Sequence, residues 1–435
     1  SAIIWLYNFF TWEGEKDVDT SSKYIGELIF GIIYLTHPIW AFVFSYRSHM
    51  EVVCFALSLA PVVLLLLTKA IEYRSYIYVI LACVLAAVLY SCYSTFMILY
   101  GVGICIYLYY KTSESFEESG SKWKLIIKLL LFTVASVVLY YIIVKITKAH
   151  FGITGGTEYL TGNFKWGSEP IADSFNRLLA NLKSFFWGSE NIYSPLYLIS
   201  SLSIFLLNVY KAIKKTGNGW CILFSIGIII SPLLLNIITA GDIVIRGQIP
   251  FVLSLAFLTK EASLLFIAAI GRIGESRFKV ELKRLSGFVG VLIFGFFVVH
   301  QTQFLTRWMY SDVKVMQMDF DVLEEIYFEA MENGGQEGDA LVLVGGDSCY
   351  KNDSLLTGEV IGYSYFAFNG YYYTNAADWA KVIEAMNAVG YNVTSPTEEQ
   401  HAMGYEMAAD MNEWPAEGSI KVVDNVIVVK LHYEQ

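Results

Sequence analysis

The sequence predicts a mainly α fold, in which a polytopic transmembrane helical bundle is followed by a small C-terminal α/β domain outside the cytoplasm. Three observations predict it. Only 16% of the 435 residues are charged, compared with about 25% in a typical soluble protein. The mean hydropathy is +0.50, and apolar residues fall in runs near the length of about 20 residues that crosses a bilayer. Residues 304–435, in contrast, are strongly acidic.

Apolar runs divide residues 1–303 into roughly eight to ten membrane spans. The predicted spans are the end of one at 2–12, and then 25–46, 51–68, 76–90, 95–110, 124–146, 194–209, 220–239, 244–258 and 285–303. Residues 75–110 are too many for one helix, so we expect a tight turn at 91–95. Lys260 and Glu261 interrupt the apolar run that follows the span 244–258. Residues 264–270 are therefore either a continuation of that span or an interfacial helix.

Basic residues in the short loops predict the orientation, since Lys and Arg are retained on the cytoplasmic side. Four alternate loops are basic, and they contain Lys69 and Arg74, then Lys111, Lys122 and Lys124, then Lys211, Lys214 and Lys215, and finally Arg272, Arg277, Lys279, Lys283 and Arg284. The other loops, including a large one at 148–193, then lie outside. We therefore expect everything after Gln303 to be extracytoplasmic.

The C-terminal segment differs from the rest of the chain in its charge. Residues 304–435 contain 22 Asp and Glu but 6 Lys and Arg, whereas residues 1–303 contain 18 and 24. This acidity argues against a nucleic-acid partner. The elements predicted for this α/β domain are helices at 319–332 and 379–389, a strand at 340–344, a helix that opens after Pro396, and a hairpin over 420–431 that turns at Asp424-Asn425.

Candidate functional residues lie at the membrane boundary, because motifs typical of soluble enzymes are absent. No metal-ligand cluster is evident either, so the sequence identifies no metal site and no cofactor. Asp242 and Arg246 fall at the outer end of a span. An arginine at headgroup level binds a lipid-linked phosphate in a bidentate manner. The alternative is that Arg246 only anchors a helix end by extending to the interface.

The outer loop 148–193 is the second candidate, since about 45 residues exceed the length of a simple connection. Apolar residues at helical spacing from Ile171 to Phe186 predict an amphipathic helix on the membrane surface. Aromatic and charged side chains beside it suit a sugar, although interfacial tryptophans also form the ordinary aromatic belt. The residues concerned are Glu158, Lys165, Trp166 and Glu169, together with Tyr93 from the turn at 91–95.

Several motifs, in their order along the chain, resemble one protein family. They are His37 to Arg47, the aromatic turn Leu89 to Ser94, the segment Ser194-Pro195-Leu196-Tyr197, the segment Ser231 to Asn236 followed by Arg246, and the ending Trp414 to Ile420 with Val426 to Leu431. The order and spacing are similar to those of the bacterial O-antigen glucosyltransferases of the serotype-converting kind, membrane enzymes of the GT-C class.

The resemblance implies a reaction and its substrates. Such an enzyme moves a hexose, by its name glucose, from a polyprenyl-phosphate donor to a lipid-linked or cell-surface glycan on the outer side of the bacterial inner membrane. The partners are then the bilayer, the lipid-linked sugar and the glycan acceptor. The resemblance also implies a catalytic acidic residue, acting as the base, in the first outer loop. If residues 2–12 end the second span, that loop precedes Ser1, and this chain lacks the base and is inactive alone.

Two other hypotheses remain open at the level of sequence. A transporter or flippase for lipid-linked sugars predicts ionisable residues deep within the spans and two halves related by a repeat. The spans are nearly free of charge at mid-membrane depth and show no repeat, which favours the enzyme. A membrane anchor for an outer binding domain predicts instead that Arg246→Ala leaves function unchanged.

Overall fold

The computed structural model describes residues 1–13, 20–45, 47–113, 119–153, 164–188, 192–242, 245–272, 278–345, 355–356, 364–366 and 380–431. Of these, residues 20–23, 45, 47–49, 113, 119–121, 268–272 and 278–293 are described by their backbone alone. The chain forms two compact units, Ser1–Gln303 and Phe304–Gln435. The division falls where the acidic segment begins.

The first unit is a bundle of helices. They are α1 Ala2–Glu13, α2 Thr20–Thr36, α3 Ile39–Ser45, α4 Arg47–Tyr73, α5 Tyr76–Cys92, α6 Thr95–Ser113, α7 Ser119–Phe151, α8 Ile171–Trp187, α9 Pro195–Ile213, α10 Gly219–Ile230, α11 Leu234–Thr239, α12 Ile249–Arg272 and the first part of α13 Phe278–Glu332. Helix α12 is central: it packs on α2, α6 and α9, and its apolar residues from Ile249 to Leu258 are buried.

Within the described part of the chain, five helical segments are long and apolar enough to cross a membrane. They are Met50–Tyr73, Lys122–Phe151, Pro195–Ile213, Gly219–Thr239 and Ile245–Ile267, and two shorter apolar helices are Tyr24–Thr36 and Tyr76–Cys92. The predicted spans 95–110 and 285–303 lie within α6 and α13. The prediction of a mainly α, multi-pass membrane protein is thus confirmed.

The run 25–46 is not one helix, and the prediction of a continuous span there is wrong. Pro38 has no N–H to donate and disfavours helical geometry at the preceding residue, so α2 ends at Thr36 and α3 begins at Ile39. The buried His37 closes the break, because its Nδ1 accepts a hydrogen bond from the Ile39 backbone N–H at 3.2 Å.

One other local prediction is confirmed, and one open alternative is decided. The turn expected at 91–95 lies at Tyr93 and Ser94, between α5 and α6. Residues 264–270 continue the preceding helix, since α12 runs unbroken to Arg272. That continuity puts Lys260, 1% exposed, inside a candidate span. This helix therefore carries a buried ammonium group beyond Leu258, where the predicted span ended.

The amphipathic helix predicted in the outer loop is confirmed as α8, Ile171–Trp187. Its end requires glycine: Gly188 has φ +89°, and an added Cβ would lie 2.9 Å from the Tyr193 carbonyl oxygen. The Gly188 backbone N–H donates to the Ser184 carbonyl at 2.9 Å. A larger residue at Gly188 would displace the segment that leads into α9.

The second unit is built on a three-stranded sheet of order β1-β3-β2. Strand β1 Ala340–Val344 is parallel to β3 Val426–Lys430, and β2 Ile420–Val423 is antiparallel to β3. The predicted strand at 340–344 and the hairpin turn are confirmed. The predicted helices correspond to the last part of α13, to α14 Ala380–Ala388 and to α15 Glu398–Ala408. Gly404 lets α15 approach β1, because a Cβ there would meet Val342 at 2.6 Å.

Candidate functional site

Arg246 lies on a short 3₁₀ turn, Ile245–Gln248, that precedes α12. We call this segment the Arg246 turn. Two buried hydrogen bonds fix it: the Thr95 hydroxyl at the start of α6 donates to the Gly247 carbonyl, and the Gln248 amide Nε2 donates to Asn236 Oδ1 at 2.9 Å. An unpaired buried polar group is costly, so these bonds hold the turn in one orientation. Arg246 itself is half-buried.

Several helix ends meet around the Arg246 turn. Helix α3 packs directly against the turn. Tyr93 is two residues before Thr95, so chain connectivity brings it to the same end of the bundle as Arg246. The Thr95 to Gly247 hydrogen bond places the turn at 91–95 beside the Arg246 turn.

Behind the turn, aromatic rings form a buried wall around Phe251. Its ring centroid lies 4.6 Å from that of Phe185, 5.3 Å from Tyr193, 4.8 Å from Tyr197 and 5.6 Å from His37. Several of these pairs are edge-to-face, an arrangement that aromatic rings prefer. The wall docks the end of α8 and the start of α9 on the central helix α12.

A polar cluster lies one to two helical turns before Phe185, nearer the start of α8. Asp242, with a side chain 77% exposed, faces this helix: Asn181 Nδ2 donates to its Oδ1 at 3.3 Å, and Arg177 Nε is 3.9 Å from its Oδ2. Arg177 also binds Glu169 at 2.8 Å. We call Glu169, Arg177, Asn181 and Asp242 the Asp242 cluster. Its two carboxylates and one guanidinium lie within reach of solvent.

The segment before α8 is tied to the end of α11. The Lys165 backbone N–H donates to the Thr239 carbonyl at 2.7 Å, and Trp166 Nε1 donates to the Ile237 carbonyl at 2.9 Å. These two carbonyls belong to the last turn of a helix, where no intrahelical donor is available. Trp166 is therefore held with a defined ring orientation beside the residues that lead to Asp242.

Glu169 is stabilised in its charged form. The Ser174 hydroxyl donates to Glu169 Oε1 at 2.8 Å, and this hydrogen bond, followed by that of Arg177, lowers the pKa of Glu169 from its ordinary value. A carboxylate with a lowered pKa contributes stability above its unfolded-state pKa and loses it as the pH falls through the folded-state value.

We therefore expect Glu169→Gln to reduce thermal stability at pH 7 and to make no difference once the pH has fallen through the lowered pKa of Glu169. Thermal unfolding of both proteins in detergent, from pH 7 downward, tests this. Ser174→Ala removes the largest cause of the shift and should move the loss to a higher pH. A stability difference that stays constant with pH would contradict the assignment.

The predicted site residues thus fall into two neighbouring groups. Lys165, Trp166, Glu169 and Asp242 come together around α8, and Tyr93 and Arg246 lie at the Arg246 turn. The contacts of Asp242 are with α8, a pairing that the sequence did not suggest. Of the predicted site residues, Glu158 lies outside the described residues. The sequence also gave no role to Thr95, Asn181 and Gln248, because each acts through a partner more than ten residues away.

This arrangement suits an anionic, hydroxyl-rich ligand. Arginine offers a planar set of donors that matches a phosphate, and an aromatic ring beside carboxylates suits a sugar, whose C–H face stacks while its hydroxyls form hydrogen bonds. Among the described residues, no group of three or more His, Cys, Asp and Glu side chains is arranged to hold a metal ion.

The fold and these groups define a multi-pass membrane protein with a polar, aromatic-lined surface at one end of its helical bundle. Residues 1–259 match the family described as Glucosyl transferase GtrII. This match covers more than half of the chain, so the chain belongs to the GtrII glucosyl transferase family and is a membrane glycosyltransferase. No curated protein and no solved structure matches it.

Proposed function

We propose that this protein transfers a hexose, glucose by the name of its family, from a polyprenyl-phosphate donor to a lipid-linked or cell-surface glycan on the outer side of the bacterial inner membrane. The observation that carries the proposal is the Arg246 turn, held by buried hydrogen bonds in a chain of the GtrII family. O-antigen glycan is the acceptor that the sequence resemblance favours.

Arg246 is proposed to bind the donor phosphate. When the sugar leaves a polyprenyl phosphate, negative charge develops on the phosphate, and a preorganised cation stabilises this charge most where water is partly excluded. Arg246 is half-buried and its turn is fixed on two sides. An arginine keeps its charge at every physiological pH, so phosphate binding would not depend on protonation of this residue.

The groups around α8 are proposed to bind the sugar and the glycan. Trp166 offers a ring of fixed orientation, and Asp242 and Glu169 offer hydrogen-bond acceptors at a solvent-exposed rim. Lys165 and Tyr93 add donors at the same end of the bundle. The acceptor hydroxyl also needs a carboxylate to take its proton, and no described residue is assigned that role.

A reconstituted transfer assay tests the proposal. Full-length protein in membrane vesicles would receive polyprenyl-phosphate hexoses radiolabelled in the sugar, together with purified glycan acceptor. We expect the label to appear in the glycan with a glucose donor and not without protein. No transfer from any donor would overturn the proposal.

One observation favours a second function, the translocation of lipid-linked sugars. Lys260 is an ionisable residue buried inside a span, and such residues mark transport pathways in many membrane proteins. The same vesicles discriminate the two functions if movement of a fluorescent lipid-linked sugar between leaflets is followed without acceptor. Glycan labelling without translocation supports the transferase, and translocation without labelling supports the transporter.

The extracytoplasmic C-terminal domain is also part of the proposal. Alkaline phosphatase, which is active only outside the cytoplasm, should be active when fused after Gln435, and green fluorescent protein fused there should stay dark. A fusion after Thr216, in a loop with Lys211, Lys214 and Lys215, should give the opposite pattern. A fluorescent C-terminal fusion would place this domain in the cytoplasm.

A further inference from the structure

The interior of the bundle contains a second polar group that the proposed transferase mechanism does not use. Lys260 on α12 is 1% exposed. Its Nζ donates to the Tyr110 hydroxyl at 2.8 Å and lies 3.2 Å from Glu261 Oε1. Tyr110, near the end of α6, donates to the same carboxylate at 3.0 Å. We call these three residues the Lys260 cluster.

The cluster is held in place by apolar rings. Lys260 Nζ lies 5.5 Å from the ring centroid of Phe9 on α1 and 5.4 Å from that of Tyr110, within the range of a cation–π interaction. A buried ammonium is stable only when it is paired and hydrogen-bonded. Because Lys260 has both kinds of partner, the geometry of the cluster is restrictive, and it joins α6 to α12.

Helices α6 and α12 are therefore joined at two levels. At one end the Thr95 hydroxyl donates to the Gly247 carbonyl, and further along Tyr110 binds Lys260 and Glu261. With a rise of 1.5 Å per residue, Thr95 to Tyr110 spans about 22 Å and Gly247 to Lys260 spans about 20 Å. The two lengths match closely. Both contacts therefore form together at only one axial position of α6 relative to α12.

We propose that the Lys260 cluster is a remote positioning site, which sets the register of α6 against α12 and thereby holds the Arg246 turn against the 93–95 turn. Lys260 and Tyr110 act through the Thr95 to Gly247 contact. The structural part of this inference stands on the two contacts alone. Its consequence for catalysis rests on the proposed role of Arg246.

Hydrogen exchange measured by mass spectrometry tests the structural part without any substrate. The full chain in lipid nanodiscs would be compared with Tyr110→Phe, which removes one hydroxyl, and with Lys260→Met, which keeps most of the side-chain volume. We expect exchange at residues 93–99 and 245–253 to become about tenfold faster in both variants. If Lys260→Met fails to fold, Tyr110→Phe alone decides the result.

Thr259→Val is the matched control. It removes a buried hydrogen bond of 3.2 Å from the residue next to Lys260, but that bond joins α12 to Ser200 on α9. Exchange in the 93–99 and 245–253 peptides should stay near the wild-type rate in this control. Faster exchange confined to the surroundings of residues 110 and 260, or an equal effect of Thr259→Val, would overturn the proposal.

The catalytic consequence has its own readout. If Arg246 binds the donor phosphate, Tyr110→Phe should raise the KM for the lipid-phosphate donor about tenfold while the KM for the glycan acceptor stays unchanged. Faster exchange at the Arg246 turn with an unchanged donor KM would keep the positioning role and reject the phosphate role of Arg246. An equal change in both KM values would contradict a specific effect on the turn.

Discussion

Replacing Arg246 with alanine is expected to lower kcat/KM for hexose transfer about 10²- to 10³-fold, the effect of removing one preorganised donor from a developing negative charge. The loss should appear in both the donor KM and kcat, since Arg246 binds the phosphate before the reaction and stabilises the charge that it gains as the sugar leaves. Arg246→Lys should recover part of the rate, because it restores the charge but not the bidentate geometry. Steady-state kinetics with radiolabelled donor in vesicles measures each effect.

A second arginine provides the control for this result. Arg74 is exposed in the connection between α4 and α5, in one of the loops predicted to be cytoplasmic. Arg74 has φ +51°, and alanine there carries the same Cβ as arginine, so Arg74→Ala should leave kcat/KM within about twofold of wild type. If Arg74→Ala and Arg246→Ala lower the rate equally, the effect comes from membrane insertion or folding and not from the phosphate.

Replacing Phe251 with alanine is expected to destabilise the bundle by about 3–5 kcal/mol, the usual cost of removing a buried phenyl ring. Phe251 is fully buried, and its ring meets His37, Phe185, Tyr193 and Tyr197. Its loss leaves a cavity where α8 docks on α12. Unfolding in mixed micelles with increasing denaturing detergent measures the change.

Phe175 offers a matched comparison, because it lies on α8, the helix that docks against Phe251. Its side chain is 52% exposed on α8, so Phe175→Ala should change stability by only about 0.5 kcal/mol. Similar losses for Phe175→Ala and Phe251→Ala would mean that the aromatic wall does not dock α8. If Phe251→Leu is much less destabilised than Phe251→Ala, side-chain volume stabilises the contact more than ring geometry does.

Much of the fold could be predicted because the deciding signals are local. The apolar stripe of α8 needs only a period of 3.6 residues. The turn at Tyr93 and Ser94 follows from a run too long for one helix, and the hairpin turn at Asp424 and Asn425 uses residues that tolerate positive φ, here +48° and +61°. Each of these signals lies within a short window of sequence.

Two features of the spans could not be read from apolarity alone. A hydropathy average does not reveal where a helix is interrupted inside an apolar run. The break at His37 and Pro38 and the 3₁₀ turn Ser231–Leu233 within the span Gly219–Thr239 are two such places, and each contains a proline. Lys260 was expected to end or interrupt a span. It lies inside α12 because its partner Tyr110, 150 residues earlier in the chain, makes burial of the ammonium possible.

The candidate site was predictable in its residues but not in its pairings. Arg246 and Asp242 stand out as charges at the end of an apolar run, and Trp166 stands out as an interfacial aromatic. Nothing in the sequence links Asp242 to Asn181, 61 residues away, or Thr95 to Gly247, 152 residues away. Such contacts depend on which helix ends meet in the folded bundle.

The location of the donor site can be measured directly with a photoreactive polyprenyl-phosphate glucose that carries its reactive group near the phosphate. After irradiation of vesicles, mass spectrometry of the digested protein identifies the labelled peptides. We predict labels in residues 93–99, 164–188 and 239–248, with competition by unmodified donor. Competed labels only around Tyr110 and Lys260, or only in residues 304–435, would contradict an active centre at the Arg246 turn.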